Sequence, residues 1–157
     1  MAIDTHIKFD GVEGESAHKD HKGEIEVLSW SWGLSNPPRQ SGGGSGAGKP
    51  TAHEFTFTHL YDKASPVLAK LVASGRHVKQ AWLSLRKAGQ GQKDFLKVTM
   101  SDVHISSVFH EGSGESIVES VTAVPGRIVY EYRQTDAKGS LGSPVTFDWD
   151  IVKNKVK

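Results

Sequence analysis

No cysteine occurs among the 157 residues, which excludes disulfides, thiolate metal sites and a cysteine nucleophile together. Charge of one sign is also missing. Lys and Arg number 19 against 18 Asp and Glu, so no strong overall field recruits nucleic acid or acidic lipid. No run approaches the roughly 18 consecutive apolar residues of a membrane-spanning helix, so membrane insertion is not expected. The first residues alternate Ile3, Thr5, Ile7 and Phe9 with polar neighbours and contain no apolar core of a secretory signal. The expectation is a chain made in the cytoplasm that leaves the cell only if another machine moves it. Internal repeats are not apparent. At this length one domain over 1–157 is expected, burying roughly 68–70 % of its unfolded surface.

Strand patterning fills most of what is there. The most telling stretch is Glu24-Ile25-Glu26-Val27-Leu28-Ser29-Trp30-Ser31-Trp32-Gly33, which follows Asp10-Gly11-Val12-Glu13-Gly14-Glu15-Ser16. Its apolar residues change side near Val27-Leu28, as a long strand does when it bends around a nearly closed sheet. Each indole is a large apolar body with one N–H donor, suited to a packed wall. Further strands are expected at Ile3–Phe9, Glu54–Leu60, Gln80–Lys87, Phe95–Phe109, Ile117–Val124, Ile128–Arg133 and Val145–Asp150, with Gly89-Gln90-Gly91-Gln92 as a hairpin loop. One helix stands out over about 65–75. Ser65 is its expected N-cap, Pro66 its first residue, Val67, Leu68, Leu71 and Val72 its apolar stripe, and Gly75 its end. The expected fold is mainly β: a closed or nearly closed barrel of two packed sheets, with that helix over one opening. The Gly/Ser/Pro-rich segment at about 35–52 reads as a long exposed loop.

Chemistry is harder to find. Gly43-Gly44-Ser45-Gly46-Ala47-Gly48-Lys49 nearly completes a phosphate-binding loop, but the next residue, which must offer a hydroxyl to magnesium, is Pro50. A strand pattern follows where the motif needs a helix N-terminus, which disfavours a hydrolase built on this loop. Among eight histidines, His18 and His21 lie beside Asp20 and Glu15, yet no third imidazole sits at telling spacing. His53, His59, His77, His104 and His110 lie singly and read as packed or rim histidines. No serine occupies a Gly-x-Ser-x-Gly elbow. Nothing pairs Asp148, Asp150, Glu111 or Glu115 as acid and base. No cofactor and no catalytic residue are expected. Arg86-Lys87 reads as a charged strand end that discourages edge pairing. Four tryptophans leave a second reading open, a monomeric secreted carbohydrate-binding β-module with Trp82 and Trp149 as a stacking platform, although packing explains them better.

The run Asp10-Gly11-x-x-Gly14-Glu15-Ser16 with Glu24-Ile25-x-Val27-Leu28-x-Trp30-Ser31-Trp32-Gly33 resembles the Hcp family, the haemolysin-coregulated proteins that build the inner tube of the type VI secretion system. Asp62-Lys63-x-Ser65-Pro66, Arg86-Lys87-Ala88-Gly89, Asp102-Val103 with Ser106-Ser107, Glu119-x-Val121 and Trp149-Asp150 before Asn154 extend the resemblance over nearly the whole chain. One departure is Ala123-Val124-Pro125-Gly126, where the family usually carries an unbroken strand. Alone, Pro125-Gly126 reads as a tight turn. The matches on both sides keep register, which favours one long strand kinked at Pro125.

The resemblance implies a β-barrel subunit that assembles as a homo-hexamer. Its rings stack into a tube driven by a contractile sheath behind a spike protein, with effector proteins carried in the lumen. It also implies a protein made in the bacterial cytoplasm and secreted without a signal peptide. On this reading Leu28, Trp30 and Trp32 turn into the barrel wall, and alternation sends Ser29 and Ser31 to the lumen. Gly42, Gly43, Gly44, Ser45, Gly46, Ala47 and Gly48 form a loop at the ring-to-ring contact.

Overall fold

Alternation of β-branched and aromatic residues with polar ones makes strand the dominant local preference. In the computed structural model, which describes residues 2–38 and 48–157, that preference is realised almost throughout. In chain order the elements are β1 (Ile3–Phe9), β2 (Ile25–Glu26), β3 (Ser29–Ser31), β4 (Leu34–Ser35), β5 (Thr51–Ala52), β6 (Phe55–Leu60), α1 (Ser65–Ser74), β7 (His77–Lys87), β8 (Asp94–Gly112), β9 (Ile117–Thr135), β10 (Leu141–Asp150) and β11 (Lys155–Val156).

One large antiparallel sheet carries the order β11-β10-β9-β8-β7-β1-β2, and β6 pairs both β9 and β3 away from that path. The sheet curls until β1 and β6 face each other across the core, where the rings of Phe9 and Phe57 stack 5.8 Å apart. Ladder pairing does not run unbroken around the curl, so the barrel is nearly closed. The segment after β2 bridges the gap: Val27 N–H donates to Thr5 O at 2.9 Å and Leu28 N–H to Thr58 O at 2.8 Å. The change of apolar side near Val27-Leu28 is therefore a hand-over between two strands, and the expected single strand Glu24–Trp32 is divided there.

Strand β9 organises the molecule. It pairs β8 from Ile117 to Tyr132, β6 over Val118–Ala123 and β10 over Arg127–Thr135. Pro125 falls between those two ladders, where neither β6 nor β10 pairs with β9, so its missing N–H costs no bond on that side. Opposite Gly126, Asp102 takes a positive φ of 50°, and a β-carbon added at Gly126 would lie 3.3 Å from Asp102 Cβ. Pro125 and Gly126 lie within the single strand β9, and the turn reading is set aside.

Helix α1 rests on β8 and sends Leu68 and Leu71 into the core. Its cap differs from the expectation. Ala64 is the N-cap, and Ser65 is the first helical residue, its Oγ accepting from Asp62 N–H at 3.1 Å. Gly75 closes the helix in the left-handed region at φ 69°, donating to Leu71 O and Val72 O. The 35–52 segment is zipped at its base, since β4 pairs β5. Of its glycine tract, Gly42, Gly43, Gly44, Ser45, Gly46 and Ala47 lie outside the described residues, and only Gly48 is described.

Candidate functional site

Around the hand-over, alternation decides what faces outward. Trp30 is half-buried and stacks on Phe55 at 6.1 Å; Trp32 is half-buried against Tyr130, Phe147 and Trp149. Ser29 and Ser31 are exposed, and Ser29 Oγ shares a hydrogen bond with Thr58 Oγ1 at 2.6 Å. Leu28 departs from the expected wall, being 59 % exposed. Its backbone is spent on the crossing from β1 to β6, and this leaves its side chain outside. It joins Leu60, Tyr61, Glu15, Glu26 and Asp62 around a groove of about 310 Å³. Ile117 and Phe109, also exposed, extend the apolar surface along the far ends of β8 and β9. At the opposite edge of the sheet Val145 of β10 is 71 % exposed.

The tryptophans do not make a sugar platform. Trp149 is buried and its indole N–H donates to Asn154 Oδ1 at 3.2 Å, so Trp82 and Trp149 offer no pair of open faces. Past Lys49-Pro50 the chain enters β5, a strand and not a helix.

Two polar clusters escaped the sequence. Arg86 is buried beneath the 10–24 segment and is not a charged edge as expected. It donates from Nε to Asp94 Oδ1 at 2.8 Å, from Nη1 to Asp20 Oδ2 at 2.8 Å and to Gln92 O at 3.0 Å, and from Nη2 to His21 Nε2 at 3.2 Å. Burial pushes the Asp94 carboxyl up, but the hydrogen bonds from Arg86 and His21 outweigh it and hold the group below the usual range. The other cluster is centred on Glu119 of β9, which is fully buried. His59 of β6 and His110 of β8 reach its two oxygens at 2.7 and 2.5 Å. Burial pushes Glu119 up as well, yet bonds with His59, His110 and Ser65 bring it below its ordinary value. Partners 60 and 65 residues apart leave no local signal, so only the fold could reveal these contacts.

Glu15, His18, Asp20 and His21 do not assemble as ligands. Among the described residues no group of three or more His, Asp or Glu side chains could hold a metal ion. Glu15 instead accepts from Lys63 N–H at 2.7 Å. None of the described helices is long and apolar enough to cross a membrane.

The family model for the type VI secretion system effector Hcp matches residues 6–132. Protein hcp1 of Pseudomonas aeruginosa is 41 % identical over 159 aligned residues, covering 98 % of each chain. The chain belongs to the Hcp family. Among solved structures, Hcp1 from Salmonella typhimurium superposes with a TM-score of 0.81 at 37 % identity, covering all of both chains. A type six secretion system protein reaches a TM-score of 0.91 at 28 % identity over 99 % of this chain and all of the other. The Hcp fold is thus this fold: a nearly closed β-barrel with one short helix. Hcp proteins are secreted proteins of the type VI system and are not known as enzymes.

Proposed function

We propose that this Hcp chain is a tube subunit: a cyclic homo-hexamer, assembled head to tail, whose rings stack and carry effectors in the lumen. A contractile sheath and a spike protein are the partners this reading requires. The observation that carries it is apolar surface left at unpaired strand edges. Strand β10 pairs β9 on one side and, among the described residues, meets β11 only at Trp149 and Asp150 on the other, leaving Val145 open. Leu28, Leu60, Tyr61 and Ile117 lie exposed elsewhere on the sheet. Edges of this kind are normally blunted or covered, and a heterologous contact repeated around a closed ring covers both at once.

On the same reading Ser29 and Ser31 line the lumen, where small hydroxyls keep a channel wide and wettable, and Gly42–Gly48 contacts the next ring. Light scattering coupled to size exclusion, with electron microscopy of the purified protein, tests the proposal. A hexameric mass and ring-shaped particles are expected. A monomeric mass at micromolar concentration and moderate salt overturns it.

A further inference from the structure

A cluster of imidazoles, two buried and one half-buried, sits where the 10–24 segment folds over the outer face of β1 and β7. His6 of β1 is 3 % exposed. The ring of His21 lies parallel to it at 4.7 Å, His18 meets it edge-on at 5.1 Å, and His18 and His21 are 5.6 Å apart. His6 Nδ1 is buried without a hydrogen-bond partner among the described residues. Nothing in the function proposed above uses this cluster.

Its neighbours explain how the stack is held. His21 bonds through Nδ1 to Glu24 Oε2 at 3.0 Å, while its Nε2 lies 3.1 Å from Asp94 Oδ1 and 3.2 Å from Arg86 Nη2. Arg86 then ties down Asp20 of the same segment, Asp94 of β8 and the carbonyl of Gln92 in the 88–93 hairpin loop. Two surface loops distant in sequence are pinned by one guanidinium resting beside the three clustered rings. His6 is faced by His18 and His21 from the segment, Asp4 from its own strand and Arg86 from β7. Lys8, Lys97, Glu24 and Asp94 border the same face.

We infer that this cluster is an acid-sensitive clasp: protonation of His6 places a cation against His21, His18 and Arg86 and releases the 16–24 segment from the sheet. An imidazolium has two N–H groups, and the buried Nδ1 offers its proton no acceptor. Burial, His21, His18 and Arg86 oppose protonation of His6, and Asp4 favours it.

The sign follows from linkage. Burial first, then His21 and His18, lower His6 from 6.5 to about 4. Once the segment lifts and water reaches the ring, the ordinary value returns. A base depressed in the closed state favours closure fully above pH 6.5, and that advantage is lost as pH falls toward 4. Between pH 7 and pH 5 the closed-to-open ratio is expected to fall about 20-fold.

Hydrogen exchange at residues 16–24, corrected for the intrinsic rate at each pH, reads this ratio in the whole protein. Wild type should lose about 20-fold in protection from pH 7 to pH 5. His6→Phe keeps a ring beneath His21 without a titrating group and should lose less than about threefold, because the depressed base is gone. Equal losses in the two proteins, or full protection of wild type at pH 5, overturn the inference. An NMR titration of the wild-type imidazoles gives a check free of any folding defect in the variant. His6 should stay neutral well below pH 6.5, and an ordinary midpoint near 6.5 overturns the clasp. Neither measurement depends on ring assembly, so failure here leaves the tube reading untouched.

Discussion

At the scale of single residues the polar side chains inside the sheet decide more than the apolar ones, because each has few acceptable neighbours. Glu119 joins three strands through His59 and His110 and is shielded completely from water. Glu119→Leu should destabilise the protein by about 3 kcal/mol at pH 7, since it leaves two histidines facing an apolar group. Urea unfolding measures that loss. The carboxyl is held below its ordinary value by His59, His110 and Ser65 in spite of burial. Its contribution is therefore present above about pH 4.5 and disappears as pH falls through the lower folded value. Ser31 stands at the other extreme, exposed between two half-buried indoles. Ser31→Gln should cost under about 0.5 kcal/mol and leave rings intact, while effector levels or secretion fall. Unchanged effector levels in a variant that still forms rings would sink the lumen assignment.

Among the elements, the connection from β1 to β2 is the least forgiving. Gly14 N–H donates to Gly23 O at 2.7 Å, and a β-carbon at Gly14 would lie 2.6 Å from Glu24 O and 2.8 Å from its carbonyl carbon. Both are backbone atoms that cannot swing aside. Gly14→Ala should cost about 1–3 kcal/mol and lower Tm by several degrees, measured by thermal denaturation. The pattern Asp10-Gly11-x-x-Gly14-Glu15-Ser16 marked this place in the sequence, although its reason is visible only where the chain doubles back. Periodicity located β1 to the residue and found the hairpin of β7 and β8, because alternation and glycine act locally. It placed α1 through Pro66 and Gly75 but assigned Ser65 to the cap, since nothing in the chain shows that Asp62 N–H would claim its hydroxyl. It also gave Leu28 to the wall. Side-chain period says which residues share a face, and the crossing of the backbone from β1 to β6 overrode it there.

Taken whole, the molecule buries Trp149, half-buries its other tryptophans and leaves aliphatic side chains at its rims. If those rims are subunit contacts, Val145→Lys should leave the melting of the isolated subunit nearly unchanged and convert hexamer to lower mass in light scattering. A lysine on an open edge is the usual deterrent to further pairing. Retention of a full hexamer at micromolar concentration would place the contact elsewhere. Shortening Gly42–Gly48 separates the two levels of assembly: single rings should persist while stacked tubes become scarce in micrographs. An unfolded subunit would instead mean that the segment supports the core.

Strand β9 also sets an order of events in time. Residues of β6 wait for partners about 60 positions later, as Leu60 does for Val118 and Phe55 for Ala123. Until β9 has emerged during synthesis, β6 has only the three-residue β3 to pair with, and its other edge stays open. Such distant pairings are slow to form, on the order of milliseconds to seconds, and the exposed strands meanwhile are sticky. The newborn chain thus passes through an interval of vulnerability that ends only when the ribosome has delivered its last third.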